Sequence, residues 1–278
     1  MTNYDSPVAD FSVLMSVYIK ENPDFLNESL LSIYTNTLVP TEVILVEDGP
    51  LTEHLEKIID YYRINYGLIS VKLEKNSGLG IALNAGIAAC NYEIIARMDT
   101  DDVCSKDRFE KQISYMQCHT EVALLGGAIA EYNIDLSKKT GVRMVPALED
   151  DILKLAVTRN PFNHMTVMFR KNAIIKCGGY QHHLYMEDYN LWLRLIALGY
   201  RVANLPDILV KVRAGSEMIS RRRGWSYIKS ELKLMKLKNK LRIGSKWKTI
   251  SIFFIRALSR YLPNKILSTL YSALRSRK

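Results

Sequence analysis

The part of the sequence that most strongly indicates the fold is the stretch Arg97-Met98-Asp99-Thr100-Asp101-Asp102. It follows the apolar segment 92–96, whose pattern predicts a short buried strand. Three carboxylates therefore emerge together at the carboxyl end of a strand, which is the edge where open α/β sheets bind their ligands. The stretch predicts an α/β fold with a ligand site at these aspartates.

The same three carboxylates indicate a metal. Like charges this close repel one another unless a cation lies among them. Hard oxygen ligands suit Mg²⁺ or Mn²⁺, which also bind phosphate oxygens, so we expect a divalent metal that holds a nucleotide diphosphate. The alternative is a solvated turn whose last aspartate caps the helix predicted from about residue 106.

Strand-like and helix-like segments alternate along the first hundred residues. The pattern predicts strands at 11–18, 42–46 and 68–73 and helices at 24–34, 53–66 and 81–89. This alternation indicates a doubly wound parallel sheet with right-handed crossovers. Further along, it predicts helices at 106–117, 152–158 and 190–198 and strands at 122–130 and 166–169, and it assigns little of the polar sequence before Asp151.

The charge of the chain is unevenly distributed. The net charge is +9, yet residues 221–278 contain 17 Lys or Arg and one acid, Glu231, which leaves residues 1–220 at about −7. Such a split indicates a surface-binding segment attached to a separately folded unit. We therefore predict a folded domain at 1–220 and a basic tail at 221–278.

The composition argues against several classes of protein. A chain of 278 residues that is 48% hydrophobic buries a full core and is not disordered. The four cysteines form no Cys-x-x-Cys pair, so we expect reduced thiols and neither a zinc site nor a disulfide framework. We also expect no signal peptide and no membrane-spanning helix.

Two further segments are candidates for nucleotide binding. Asp48 is either a turn residue before Gly49-Pro50 or an acceptor for the imide proton of uracil or thymine. The glycines of Asn76-Ser-Gly-Leu-Gly80 open a predicted helix, where backbone amides favour an anion, although Gly80 also fits a packing role. The segment lacks the three-glycine dinucleotide fingerprint and the Walker lysine, which argues against Rossmann dehydrogenases and P-loop enzymes.

Charged residues later in the chain also have two interpretations. Glu187-Asp188 fits a helix cap, but a carboxylate beside a second acid in a cleft also works as a general base. His164 lies in a predicted loop and fits a structural role. The run Arg221-Arg-Arg-Gly-Trp225 is either solvated charge or a clamp on a pyrophosphate leaving group.

Five motifs occur in an order that resembles the family 2 glycosyltransferases of GT-A fold. The resemblance covers about residues 11–225. Within that family, the chain most resembles the bacterial enzymes that build O-antigen, capsule or exopolysaccharide repeat units. The motifs are Ser-Val-Tyr18, Val-Glu-Asp-Gly-Pro50, Asn-Ser-Gly-Leu-Gly-Ile-Ala-Leu-Asn-Ala-Gly86, Arg-Met-Asp-Thr-Asp-Asp102 and Tyr-Met-Glu-Asp-Tyr-Asn-Leu-Trp192.

The resemblance implies an inverting transfer from a nucleotide-sugar donor and assigns roles to individual residues. Asp101 matches the metal ligand of the Asp-x-Asp motif and Asp99 its partner near the ribose, and Asp188 matches the general base, with Glu187 beside it in the acceptor site. The implied nucleoside site consists of Ser16, Tyr18 and Asp48, with Asn84 supporting its wall. Many relatives have two aspartates before the glycine of the second motif, whereas this chain has Glu47, so the role is placed on Asp48 alone.

Together with this resemblance, the composition of the basic tail predicts a membrane-surface role. Its lysines and arginines are interspersed with aromatic residues, as in amphipathic helices that lie on an anionic bilayer. These aromatic residues are Trp225, Trp247, Phe253, Phe254 and Tyr261. We therefore expect a lipid-diphosphate-linked sugar acceptor and a cytoplasmic location at the inner face of the cell membrane, with no nucleic-acid partner. We expect the donor to be UDP-linked because Asp48 suits a pyrimidine imide, a group that thymidine also offers.

Two competing functions remain at this level. A sugar nucleotidyltransferase can share the sheet, but it needs a glycine-rich basic loop after the first strand, and Ser16-Val-Tyr-Ile-Lys-Glu has no glycine. A non-catalytic protein that binds polyanions or a membrane surface would use the α/β domain only as a scaffold. It would bind without turning over a donor.

Overall fold

The computed structural model describes residues 9–214 and 224–259. Its first half alternates strands and helices as expected. The elements are β1 (Phe11–Val17), α1 (Pro23–Tyr34), β2 (Glu42–Glu47), α2 (Glu53–Tyr66), β3 (Ile69–Lys72), α3 (Leu79–Ala89) and β4 (Ile94–Arg97). These four strands are parallel in the order β3-β2-β1-β4.

The second half of the sheet is mixed. Its elements are β5 (Val103–Cys104), α4 (Arg108–Cys118), β6 (Val122–Tyr132), β7 (Lys139–Arg143), α5 (Glu149–Ala156), a single 3₁₀ turn (His164–Thr166), β8 (Met168–Arg170), α6 (Lys171–Lys176), α7 (Glu187–Ala197) and β9 (Arg201–Arg213). The strand order is β3-β2-β1-β4-β8-β6-β9-β5, with β7 paired to β6. β8 runs antiparallel to both β4 and β6, although β6 and β9 pair in parallel. The expectation of a wholly parallel sheet is therefore wrong beyond β4, while the predicted α/β class is confirmed.

Both faces of the sheet are covered, which explains why its central strands are apolar without interruption. On one face, α1, α2 and α4 pack against inward residues such as Val13 and Met15 of β1. On the other, residues of α3, α6 and α7 share a buried cluster with Leu14 of β1. A Cβ on Gly86 of α3 would lie 2.2 Å from Leu14 Cδ1, so this position requires the small residue.

The register of the parallel strands determines where their loops meet. Val17 at the end of β1 lies beside Glu47 at the end of β2, and Arg97 at the end of β4 lies beside Leu14. The loops that follow these three strands therefore leave the sheet at one edge. That edge carries the predicted nucleotide and metal residues.

The described part of the basic segment forms two helices, α8 (Trp225–Lys240) and α9 (Lys246–Ser259), as the predicted helical extension requires. α8 packs against α7 and the end of α5, and Tyr227 and Leu234 share a buried cluster with Tyr189 and Leu193. The run Arg221–Arg223 and the predicted domain boundary at residue 220 lie outside the described residues. None of the described helices combines the length and apolar character needed to cross a membrane.

Candidate active site

Three aspartates lie together in the loop after β4. The candidate ligand oxygens of Asp99, Asp101 and Asp102 all lie within 4.8 Å of one another. Asp102 is buried, whereas Asp99 and Asp101 are reached by solvent. Three carboxylates at this spacing form a donor set of the kind that Mg²⁺ and Mn²⁺ prefer.

The electrostatics of this acidic group favour a cation. Burial and the charges of Asp99 and Glu21 raise the pKa of Asp101 to about 7. Burial and the two neighbouring aspartates raise the pKa of Asp102 well above its ordinary value. A cation among these carboxylates would relieve the repulsion, so the residues present fit a divalent metal.

Arg213 holds the acidic loop from the far end of the sheet. It is the last residue of β9, and its backbone N–H donates to Asp102 Oδ1 at 3.1 Å. Its guanidinium donates to the backbone oxygen of Asp101, pairs with Glu28 and lies 4.1 Å over the ring of Phe25. Nothing in the sequence pattern singled out Arg213, because the aspartates that it binds lie more than a hundred residues away in the chain.

Asp48 and the glycine loop bind each other. The two carboxylate oxygens of Asp48 accept the backbone N–H groups of Ser77 and Gly78 at 2.7 and 3.0 Å. Gly49 has φ +88°, and a Cβ there would lie 2.5 Å from the nitrogen of Asn76, so only glycine fits this close approach. Glu47, the residue before Asp48, binds β3 instead: its carboxylate accepts a hydrogen bond from Ser70 and forms an ion pair with Lys72.

The end of β1 lies beside the acidic loop. Ser16 is partly exposed, and its backbone oxygen accepts a hydrogen bond from Thr100 Oγ1 at 3.5 Å. Tyr18 is 39% exposed in the loop after the strand. Ser16, Tyr18, Asp48 and the aspartates after β4 are therefore brought to one edge of the sheet.

The side chain of Asn84 binds the backbone of Tyr180. Its side-chain amide donates to the backbone oxygen of Tyr180 and accepts from the backbone N–H of Tyr180, both at 2.8 Å. Gly179 has φ +60°, and a Cβ there would lie 2.6 Å from Asn84 Oδ1. Asn84 thus ties α3 to the loop that carries Tyr180, and its side-chain amide is used in doing so.

The side chains of Tyr180 and His164 form a buried pair. Tyr180 Oη and His164 Nε2 are 2.8 Å apart. Burial and the charge of Arg97 hold the pKa of His164 well below its ordinary value, so the imidazole is neutral. The ring also lies edge-on to Trp192, which fits the predicted structural role of His164.

Asp188 lies in the first turn of α7 and is held on both sides. Asn160 Nδ2 donates to its Oδ2 at 2.6 Å, and the backbone N–H of Tyr189 donates to its Oδ1 at 2.7 Å. Asn160 is itself oriented because its Oδ1 accepts the N–H of Phe162 at 3.2 Å. The sequence motif did not indicate Asn160, which reaches Asp188 from a loop 28 positions earlier in the chain.

Burial affects the pKa of Asp188. It raises the pKa of Asp188, while the two hydrogen bonds and the charges of Arg143 and Arg97 act in the opposite direction. Burial also raises the pKa of the neighbouring Glu187. A recessed carboxylate with a raised pKa can take a proton from a hydroxyl group.

Asp99 and Asp188 both influence the same buried tyrosine, Tyr180. The charges of Asp188 and Asp99 both contribute to the raised pKa of the buried Tyr180, whose main cause is burial. A Cβ on Gly80 would lie 3.5 Å from Tyr180 Cβ and 3.6 Å from Glu187 Cγ, so the start of α3 also packs here. The site thus brings together α3, the loop after β4 and the start of α7.

The sequence is similar to those of known glycosyltransferases. Residues 12–184 match the family described as Glycosyl transferase family 2. The amylovoran biosynthesis glycosyltransferase AmsE of Erwinia amylovora is 50% identical over 94% of this chain and 97% of its own length. The UDP-Gal:alpha-D-GlcNAc-diphosphoundecaprenol beta-1,3-galactosyltransferase of Escherichia coli is 40% identical over 80% of this chain and 81% of its own.

The fold is also that of a solved glycosyltransferase. The mannosyltransferase PcManGT of Pyrobaculum calidifontis, in complex with GDP-Man and Mn²⁺, superimposes with a TM-score of 0.62 at 15% identity, covering 95% of this chain and 79% of its own. The chain belongs to glycosyl transferase family 2 and has the GT-A fold. It is a glycosyltransferase of bacterial surface polysaccharide synthesis, close to those that build amylovoran and O-antigen.

Proposed function

We propose that this enzyme transfers a hexose from a UDP-sugar to a lipid-diphosphate-linked saccharide and inverts the anomeric centre. The observation that carries the proposal is a cluster of three aspartates in a fold that also holds a recessed carboxylate, Asp188, beside Asn160 at the start of α7. Inverting transfer requires these two parts, because positive charge is needed at the leaving diphosphate and a base is needed opposite it.

Asp188 serves as the base. Its carboxylate takes the proton of the acceptor hydroxyl as the hydroxyl oxygen attacks the anomeric carbon and the bond from that carbon to the diphosphate breaks. Asn160 holds the carboxylate in place, and Glu187 lies beside it on the acceptor side. Asp99 and Asp101, supported by Asp102, would hold the metal, which when bound supplies positive charge to the diphosphate oxygens.

The donor is proposed to carry uridine. A carboxylate has about four lone-pair sites, so the two amide bonds to Asp48 leave capacity for the imide N–H of uracil. Ser16 and Tyr18 line the nucleoside, and Asn84 supports the wall through Tyr180. The name of the E. coli relative, which acts on UDP-Gal, supports the same donor class.

The acceptor is proposed to be held at an anionic membrane surface on the cytoplasmic side. α9 exposes an apolar face, in which Trp247 is 82% and Phe254 64% exposed, and Lys246 and Lys248 flank it. Its opposite face is fixed to α8 by the ion pair between Arg256 Nε and Glu231 Oε1 at 2.8 Å. The E. coli relative acts on a diphosphoundecaprenol acceptor, which is consistent with a lipid-linked substrate.

The proposal is tested with purified protein, a panel of nucleotide sugars and diphosphoundecaprenol-linked N-acetylglucosamine in detergent, with Mn²⁺. We expect one UDP-sugar to release UDP with formation of a β-linked disaccharide. Asp101→Ala and chelator should each lower the rate by about 10²-fold or more, since the charge at the leaving group is lost. Asp60→Ala, at an exposed ion pair on α2, is the control and should keep full activity.

Each part of the proposal has its own contrary result. Full activity of Asp101→Ala would remove the metal assignment. Retention of the donor's anomeric configuration in the product would remove the inverting mechanism. Failure to bind any uridine nucleotide would remove the donor class.

A further inference from the structure

Arg97 has a buried guanidinium whose bonding is incomplete. The residue ends β4, is 2% exposed, and its Nη2 pairs with Asp99. Its Nε and Nη1 are buried without a hydrogen-bond partner among the described residues. Buried donors of a charged group are nearly always satisfied, so these two need an explanation.

The other arginines buried within the described residues differ from Arg97. Every guanidinium nitrogen of Arg108, Arg194 and Arg213 has a partner. These three side chains join elements of the fold. The incomplete bonding of Arg97 is thus a property of its position and not of buried arginines in this chain.

That position lies between the two chemical ends of the site. Arg97 contacts Asp99 directly. Because side chains alternate along a strand, the side chain of Arg97 lies on the same face of the sheet as Ile95, which shares a buried cluster with Tyr180 and with Leu191 of α7. The charge of Arg97 also acts on the pKa of Asp188, for which burial is the main influence. It acts likewise on the buried pair of His164 and Tyr180. In the proposed reaction the sugar occupies the same place, because its anomeric carbon is bonded to the diphosphate on one side and attacked from the side of the base.

We propose that the Nε–H and Nη1–H groups of Arg97 donate hydrogen bonds to oxygen atoms of the sugar being transferred. Arg97 thereby selects the donor sugar, while its Nη2 keeps Asp99 in place. A planar guanidinium is suited to this double role because its donors point in fixed, separate directions. This inference rests on the proposed function, since it requires a nucleotide sugar in the site.

The test compares binding of UDP with binding of the UDP-sugar that the wild-type enzyme uses, by calorimetry with Mn²⁺ present. Arg97→Lys keeps a positive charge beside Asp99 but lacks the two separate donors. We expect this variant to bind UDP much as the wild type does, and the affinity gained from the sugar to fall about tenfold or more. Arg170→Lys is the matched control, because Arg170 donates to the backbone oxygens of Val122 and Met116, away from the acidic loop, and it should leave that gain unchanged.

Three results would overturn the inference. Equal loss of UDP and UDP-sugar binding in Arg97→Lys would mean that Arg97 acts only through Asp99. Unchanged binding of both would mean that it has no part in either. Absence of UDP binding by the wild-type protein would overturn the proposed function itself. This outcome differs from failure of the Arg97 inference alone, in which the wild-type protein still binds UDP.

A measurement on the wild-type protein covers the case in which Arg97→Lys does not fold. With ¹⁵N-arginine and nearest-neighbour labelling, the Nε–H resonance of Arg97 is followed during titration with UDP and then with the UDP-sugar. We expect a shift that appears only with the sugar present. Identical spectra with the two ligands would contradict the contact.

Discussion

Asp188 is the residue whose environment predicts the pH dependence of transfer. A base works only when ionised, and burial raises the pKa of Asp188 above its ordinary value of 3.8. The acidic limb of kcat should therefore lie above that value. Asn160→Ala removes a hydrogen bond that favours the ionised form, so it should move the limb to still higher pH.

A second substitution removes the proposed base. Asp188→Asn should lower kcat by about 10²–10⁴-fold and leave UDP affinity unchanged, since the residue is proposed to act on the acceptor. Rates across pH, with UDP binding measured in parallel, check both variants. A limb in Asn160→Ala that coincides with the wild type would show that another group titrates.

Gly49 provides a second test at the scale of single residues. Gly49→Ala should destabilise the fold by about 1–3 kcal/mol and weaken UDP binding, because φ is +88° and the new Cβ would push the loop at Asn76 away from Asp48. Gly67→Ala is the control, with φ +70° and no atom within 4 Å of its Cβ. It should affect stability alone, as urea unfolding and calorimetry would show.

The residues that the sequence could indicate are those next to a strand end. Asp48 and the aspartates after β4 were predictable as neighbours because parallel strands bring their carboxyl ends to one edge. Arg213 and Asn160 were not, since each reaches the site from a distant segment whose position depends on the completed sheet. The functional roles of the site residues remain predictions.

Among the elements, α9 has the most directly testable role. If α9 binds a bilayer as proposed, Trp247→Ser with Phe254→Ser should lower binding to phosphatidylglycerol vesicles about tenfold or more, because two large apolar side chains are lost from its exposed face. Ile64→Ser on α2, where the side chain is 75% exposed, is the control and should bind normally. Sedimentation with vesicles measures the effect, and equal binding of all three proteins would contradict it.

The strands and helices of the first half could be predicted nearly to the residue, because apolar periodicity and turn residues agree there. β9 was missed for a physical reason. Pro206 and Asp207 interrupt its pattern, and its pairing with β6 shifts register at Gly127 and Ala128. A proline cannot donate to the ladder, so it marks the irregularity and hides the strand from a pattern of alternation.

At the scale of the whole molecule, α8 is the part of the basic segment that packs against α7 and the end of α5. Lys238 is buried where the two meet, with Nζ bonded to the oxygen of Val157 at 2.9 Å and lying 4.7 Å from the ring centre of Tyr189. Burial lowers the pKa of Lys238 from 10.5 to about 7. The charge asymmetry of the sequence did not predict this contact, because it reports where charge lies and not what it packs against.

This lowered pKa makes stability depend on pH. Between about pH 7 and 10.5 the unfolded chain binds a proton at Lys238 that the folded protein lacks, so the free energy of unfolding should rise with pH. Lys238→Met should remove this part of the slope between pH 7 and 9. Urea unfolding of both proteins across that range is the measurement, and parallel slopes would contradict it.

The apolar face of α9 also has a kinetic consequence. An enzyme that rests on a bilayer meets a lipid-linked acceptor by diffusion in two dimensions, so its rate follows the mole fraction of acceptor in the membrane and not the amount per volume. Diluting the acceptor with inert lipid should then slow transfer even when the total quantity of acceptor is constant. At a fixed quantity of acceptor, the rate of sugar transfer would therefore fall as the area of membrane that carries the acceptor grows.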